Sequence, residues 1–147
     1  MAARLSTGLV NRIMGKDSFI KTFDLGFIDI YSGTQPATAD DVPNGVRLIT
    51  LYSDGKAKGL SWDPVVTAGA VSKLSSESWT GTVAIDGVAG WFRLREAADP
   101  GTASSASAAR YDGAIATYGS QMNLGSLSLL KGAPFLVAAA SFTLPQA

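Results

Sequence analysis

The sequence predicts an all-β fold, an antiparallel β-sandwich or jelly-roll of about eight to nine short strands with one short N-terminal helix. Three observations point there. Short runs rich in β-branched and aromatic residues recur along most of the chain. Clusters of Gly, Pro, Asn, Asp and Ser separate them. Helical periodicity occurs once, at the start. The 147 residues suit a single domain able to bury a core of its own. The expected organisation is an N-terminal helical arm over residues 1–17 and a β-sandwich over residues 18–147.

The helix is expected over residues 5–14, where Leu5, Leu9, Val10, Ile13 and Met14 recur at spacings of three and four. Gly15 then supplies a C-terminal stop. This helix either closes one end of its own domain or docks on a neighbouring subunit. In the second case Leu5, Leu9 and Ile13 form the interface.

The first strand is expected at residues 25–31, where Phe27, Asp29 and Tyr31 alternate with Ile28 and Ile30. A long polar loop at residues 34–45 follows, with Pro36, Pro43 and a terminal Asn44-Gly45. Residues 46–52 form the next strand, the antiparallel partner of the first. Further strands are expected near residues 59–62, 70–74, 78–85 and 90–95. Asp86-Gly87 between the last two predicts a hairpin. In residues 90–95 Trp91, Arg93 and Arg95 point one way and Phe92 and Leu94 the other, so one face is core. The Ala- and Ser-rich stretch at residues 97–109 has little apolar area to bury and is expected as an exposed, mobile loop. Weaker strands near residues 110–118 and 123–130, then an apolar strand at 135–144, complete the chain.

Composition narrows the chemistry. Twelve basic residues balance twelve acidic ones, so no overall field attracts nucleic acid. No apolar run approaches the roughly 18 residues a bilayer span needs, so no membrane partner is expected. Ser6, Thr7, Gly8, Asn11 and Arg12 interrupt any apolar signal-peptide core. The chain has no His and no Cys, which removes the commonest general base, the thiolate nucleophile and the commonest soft-metal ligands. Only 16% of residues are charged, against about a quarter in an ordinary domain, and such a surface suits contacts with other protein.

What remains for catalysis is a Ser-Lys pair or a pair of carboxylates. Lys56, Lys58, Lys73 and Lys131 read as solvated. Asp54, Asp86 and Asp112 each precede Gly and Asp63 precedes Pro, so these acids read as turn residues. Asp29 lies inside a strand, where it is either solvated or paired across the sheet. Asp40-Asp41 lacks the spaced ligands of a calcium loop. Trp62, Trp79 and Trp91 form either core or a stacking platform for sugars. No catalytic, cofactor-binding or metal-ligating residue is assigned, and no cofactor is expected.

Four segments carry a resemblance: residues 28–40, which include Ser32-Gly-Thr-Gln-Pro36; Gly87-Val-Ala-Gly-Trp-Phe-Arg-Leu94; Arg110-Tyr-Asp-Gly113; and Met122-Asn-Leu124, followed by an apolar strand ending in Pro145. In this order, over roughly residues 20–145, the chain resembles a family of small proteins encoded in the structural-gene regions of tailed bacteriophages. The N-terminal helix and the Ala-Ser loop are less typical of it. The resemblance implies a β-sandwich virion protein, assembled in the host cytoplasm, with no catalytic residue. The leading expectation is a capsid decoration or cementing protein bound to the major capsid protein as a small homo-oligomer. The alternatives are a tail, collar or head-to-tail accessory protein, and a carbohydrate- or receptor-binding module.

Overall fold

The computed structural model describes residues 3–54, 58–137 and 140–145. In chain order the elements are β1 (Arg4–Leu5), α1 (Thr7–Met14), α2 (Phe19–Phe23), β2 (Phe27–Ser32), β3 (Arg47–Ser53), β4 (Ala70–Ser72) and β5 (Trp79–Thr82). They continue with β6 (Gly87–Arg95), β7 (Arg110–Ala116), β8 (Met122–Asn123), β9 (Ser128–Leu129), β10 (Pro134–Val137) and β11 (Ser141–Thr143). The architecture is an all-β sandwich. One sheet runs β1-β7-β6-β2-β3-β5-β10, with β9 paired to the start of β6 and β8 paired in parallel to the end of β7. The other sheet is the antiparallel pair of β4 and β11.

The alternation read in the sequence builds the core. Ile28 and Ile30 of β2, Leu51 of β3, and Phe92 and Leu94 of β6 are fully buried on one face. Against them lies a chain of edge-to-face aromatic contacts in which Phe142 of β11 touches Trp62, Phe92 and Tyr111, and Trp62 touches Trp79. Both polar handles of this cluster are satisfied: Trp62 donates to the Phe23 carbonyl at 3.0 Å, and Trp79 to the Glu77 carboxylate at 2.9 Å. Helix α1 begins where Ser6 accepts the Leu9 N–H at 3.1 Å and ends at Gly15. Its Leu9 is fully buried in the chain's own core.

The structure corrects several expectations. Eleven strands occur among the described residues, because β1 is added at the start, no strand forms at 59–62, and the expected strands at 123–130 and 135–144 are each broken in two, with β10 and β11 in different sheets. Residues 138–139 of the last segment lie outside the described residues. At residues 59–62 only isolated bridges form, at Leu60 and Trp62. A second helix, α2, is present, with Ser18 accepting the Lys21 N–H at 3.1 Å; at five residues it is too short for periodicity to reveal.

The Asp86-Gly87 hairpin does not form. Strand β5 pairs with β3 and β10, and β6 pairs with β2 and β7. The turn signal is local, while both edges of β6 are occupied by strands that bring it ionic partners. Asp86 instead accepts the Lys131 N–H at 2.6 Å. The loop at residues 97–109 is not a loose excursion: Asp99 and Gly101 are buried and its backbone is bonded to the sheet.

Candidate functional site

Strands β2, β6 and β7 are neighbours, and their faces turned away from the apolar core carry charge. Asp29 of β2 stands opposite Arg93 of β6, and Arg93 opposite Asp112 of β7; Arg95 and Arg110 are the next such pair. Period-two geometry therefore places two aspartates and three arginines on one surface. Asp99 joins them from the loop above. Three two-armed ion pairs result. Arg93 donates to Asp112 at 2.8 and 2.9 Å, Arg110 to Asp99 at 2.7 and 3.1 Å, and Arg95 to Asp29 at 2.7 and 3.5 Å. Thr50 adds a 2.6 Å bond to Asp29. None of the six side chains is substantially exposed, and Arg93, Asp29 and Asp112 are fully buried.

Two loops cover this layer, held by the guanidinium groups beneath them. Arg95 donates to the Asp99 carbonyl at 2.6 Å, Arg110 to the Ala103 carbonyl at 2.7 Å, and Arg93 to the Asp41 carbonyl at 3.0 Å. Small side chains in residues 97–109 let the backbone come this close. Order in that loop is thus ionic and polar, which a reading based on apolar area misses. The N-terminal segment completes the lid. Arg4 donates to the Pro36 and Ala37 carbonyls, Thr7 donates twice to Asp40 at 2.7 and 2.6 Å, and Arg12 pairs with Glu96 at 2.6 Å.

A buried ion pair gains little net stability, because desolvation offsets attraction, but removing one partner leaves a buried unpaired charge. The layer therefore selects one arrangement of loops and strands. It holds Asp29, Asp99 and Asp112 in ion pairs. Asp112, read as a turn residue, sits within β7 against Arg93. Lys73, read as solvated, is buried and donates to the carbonyls of Leu74 and Glu77. Asp40 and Asp41 accept from Thr7 and from the Thr38 N–H. Among the described residues no group of three or more His, Cys, Asp or Glu could hold a metal ion.

Burial acts to raise the Asp99 carboxyl, and hydrogen bonds from Arg110 and the Gly101 N–H, with the charges of Arg110 and Arg95, outweigh it; the group sits below the usual carboxylate range. Such a group contributes its full stabilisation above its unfolded pKa, about 3.9, and loses it as pH falls through the lower folded value. Asp112 runs the other way. Burial pushes it up against the pull of Arg93, Arg110 and Arg4, so its contribution is present below the unfolded value and lost as pH rises through the folded one. Urea midpoints measured from pH 5 to about pH 2 should fall more steeply for the native chain than for Asp99→Asn. Parallel curves would refute this assignment.

Of the residues expected at an interface, Leu9 lies in the chain's own core, and Leu5 and Ile13 pack partly buried against it. The segment 1–17 also adds β1 to the sheet beside β7. Val10 and Met14 are the apolar residues of α1 that stay exposed. The three tryptophans are all interior. The sequence signals the charged layer only by parity: Asp29, the Arg93/Arg95 pair and the Arg110/Asp112 pair all occupy the non-core parity of their strands. Recognising it requires knowing that those strands are adjacent. Of the segments that carry the phage-protein resemblance, residues 28–32, 87–94 and 110–113 lie on the neighbouring strands β2, β6 and β7, and Met122–Asn123 form β8 beside the far end of β7. No protein-family model, curated protein or solved structure matches the chain.

Proposed function

We propose that this chain is a non-enzymatic structural component of a tailed-phage virion, a capsid decoration or cementing protein that binds the major capsid lattice as a small homo-oligomer. The observation that carries the reading is where the charge goes. Among the described residues eight charged side chains are buried: Asp29, Lys73, Glu77, Arg93, Arg95, Asp99, Arg110 and Asp112. A sequence already poor in charge thus presents a surface poorer still, suited to repeated protein contact. The resemblance of four segments to phage structural proteins gives that contact a direction. The adjacency of β2, β6 and β7, which carry three of them, supports reading those three as one structural unit.

The carbohydrate-binding alternative loses its platform, since Trp62, Trp79 and Trp91 do not face solvent. The tail or collar alternative is separated by stoichiometry. Purified particles should contain the protein in on the order of hundreds of copies, following the symmetry of a shell. About six to a few dozen copies would place it on the tail axis instead. Absence from purified particles would sink the virion reading altogether.

A further inference from the structure

We propose that the cleft between residues 42–45 and Thr102, walled by Tyr31 and Arg47, binds a single carboxylate group. The site is made by an irregularity in the sheet. Ile30 pairs with Ile49, but Tyr31 pairs with Arg47, so Leu48 is an extra residue on β3. Such a bulge re-aims the side chains beside it. Here Leu48 and Ile49 both enter the core, and Arg47 takes the outer position opposite Tyr31.

Two features of that position call for an anion. Tyr31 is 3% exposed, and its hydroxyl has no hydrogen-bond partner among the described residues. The ring is held by stacking on Trp91 at 4.5 Å, and the Trp91 indole is tied by a 3.2 Å bond to the Asn44 carbonyl. A buried hydroxyl without a protein partner is costly, so a ligand oxygen brought to it gains that bond. The second feature is charge. In the adjoining layer three arginines and three aspartates neutralise one another pairwise. Arg47 is the surplus cation. It lies 4.0 Å from Asp29, whose carboxylate is already held by Arg95 and Thr50, and its side chain is 44% exposed.

The ligand therefore needs one negative charge and two acceptor oxygens, one for the Arg47 fork and one for the Tyr31 hydroxyl. Burial, with the nearby Asp29 charge, pushes the Tyr31 phenol up to about 12 despite Arg47, Arg93 and Arg95, so it stays protonated as a donor at neutral pH. A dianion is disfavoured, since its second charge would face Asp29. The cleft volume of about 270 Å³, bounded also by Val42, Pro43 and Gly45, admits a small acid or one protruding side chain. The site does not depend on the virion assignment.

The test is a titration of the full chain, labelled with ¹⁵N, following the Arg47 Nε–H and Trp91 indole N–H signals. Sodium acetate represents a free small acid, and doubly blocked glutamate represents an acidic side chain of a docked protein. Sodium chloride and inorganic phosphate, at matched ionic strength, are the comparisons. Saturable shifts of both signals are expected with acetate. They should weaken at least about tenfold in Arg47→Gln and in Tyr31→Phe, the scale of a lost hydrogen bond to a charged group. Tyr31→Phe keeps the buried ring and its stacking on Trp91, and Arg47 is a partly exposed side chain, so both variants should fold, as their unchanged amide spectra would show. Saturation by blocked glutamate as well identifies a protein side chain as an accessible ligand, and saturation by acetate alone identifies a free acid. Shifts that match chloride, persist in both variants, or are tighter for phosphate than for acetate overturn the proposal.

Discussion

Replacing Arg93 by Met should lower the unfolding free energy by about 3–5 kcal/mol, the cost of leaving a buried partner charge unpaired. Asp112 would then stand without its two guanidinium bonds in a fully buried position, and the Asp41 carbonyl would lose the closer of its two donors, keeping only Arg110 at 3.4 Å. The loss is large against a typical total of about 5–15 kcal/mol. The double variant Arg93→Met with Asp112→Leu removes both charges and should recover most of it, since apolar replacement of a whole buried pair is often neutral. Denaturant unfolding of the native chain, the two single variants and the double variant gives the coupling directly. A single-variant loss below about 1 kcal/mol, the value of an exposed pair, would mean that the layer is far wetter than its burial indicates. In the single variant, limited proteolysis should also cut faster within residues 97–109, because the Gly101 and Asp41 carbonyls share that guanidinium.

Gly90→Ala should be nearly as damaging, at about 3 kcal/mol, because the added methyl meets backbone that cannot yield. A Cβ at Gly90 would lie 1.8 Å from the carbonyl oxygen of Gly33 and 2.9 Å from its carbon. Gly33 is itself fixed in a left-handed conformation, with φ at +82°, where β2 gives way to the loop at residues 34–45. The two glycines therefore let that loop start flat against β6, directly beside the stacked Tyr31 and Trp91. Gly125→Ala, where an added Cβ meets nothing within 4 Å, is the matched control and should stay within about 0.5 kcal/mol of the native chain. Equal midpoints for the two variants would show that the Gly33–Gly90 approach is not needed.

The core was largely legible. Ile28, Ile30, Phe92 and Leu94 occupy the parity that alternation assigns to them, and the tryptophans lie inside. The antiparallel pairing of β2 with β3 also follows the sequence reading. The candidate site was legible only in pieces. Alternation puts Arg93 and Arg95 together on the non-core face of their strand, but leaves Asp29 undecided between solvent and a partner across the sheet. Arg47 carried no signal, since nothing in residues 46–52 announces the bulge that turns it outward.

Local residue pattern suffices for the all-β class, the two-sided character of the long strands, the entry and exit of the first helix and the lack of imidazole and thiol groups. Backbone geometry makes those properties local, so a few neighbouring residues suffice to express them. Tertiary structure alone decided that β6 lies between β2 and β7 and not beside β5, that residues 97–109 are ordered, and that the strand aspartates meet arginines. Those outcomes rest on partners far apart in the chain, 66 residues for Arg95 with Asp29 and 104 for the Arg110 N–H with the Ser6 hydroxyl. A charge inside the fold must find a countercharge or remain in water, and which countercharge is near is a property of strand order, which no local pattern encodes.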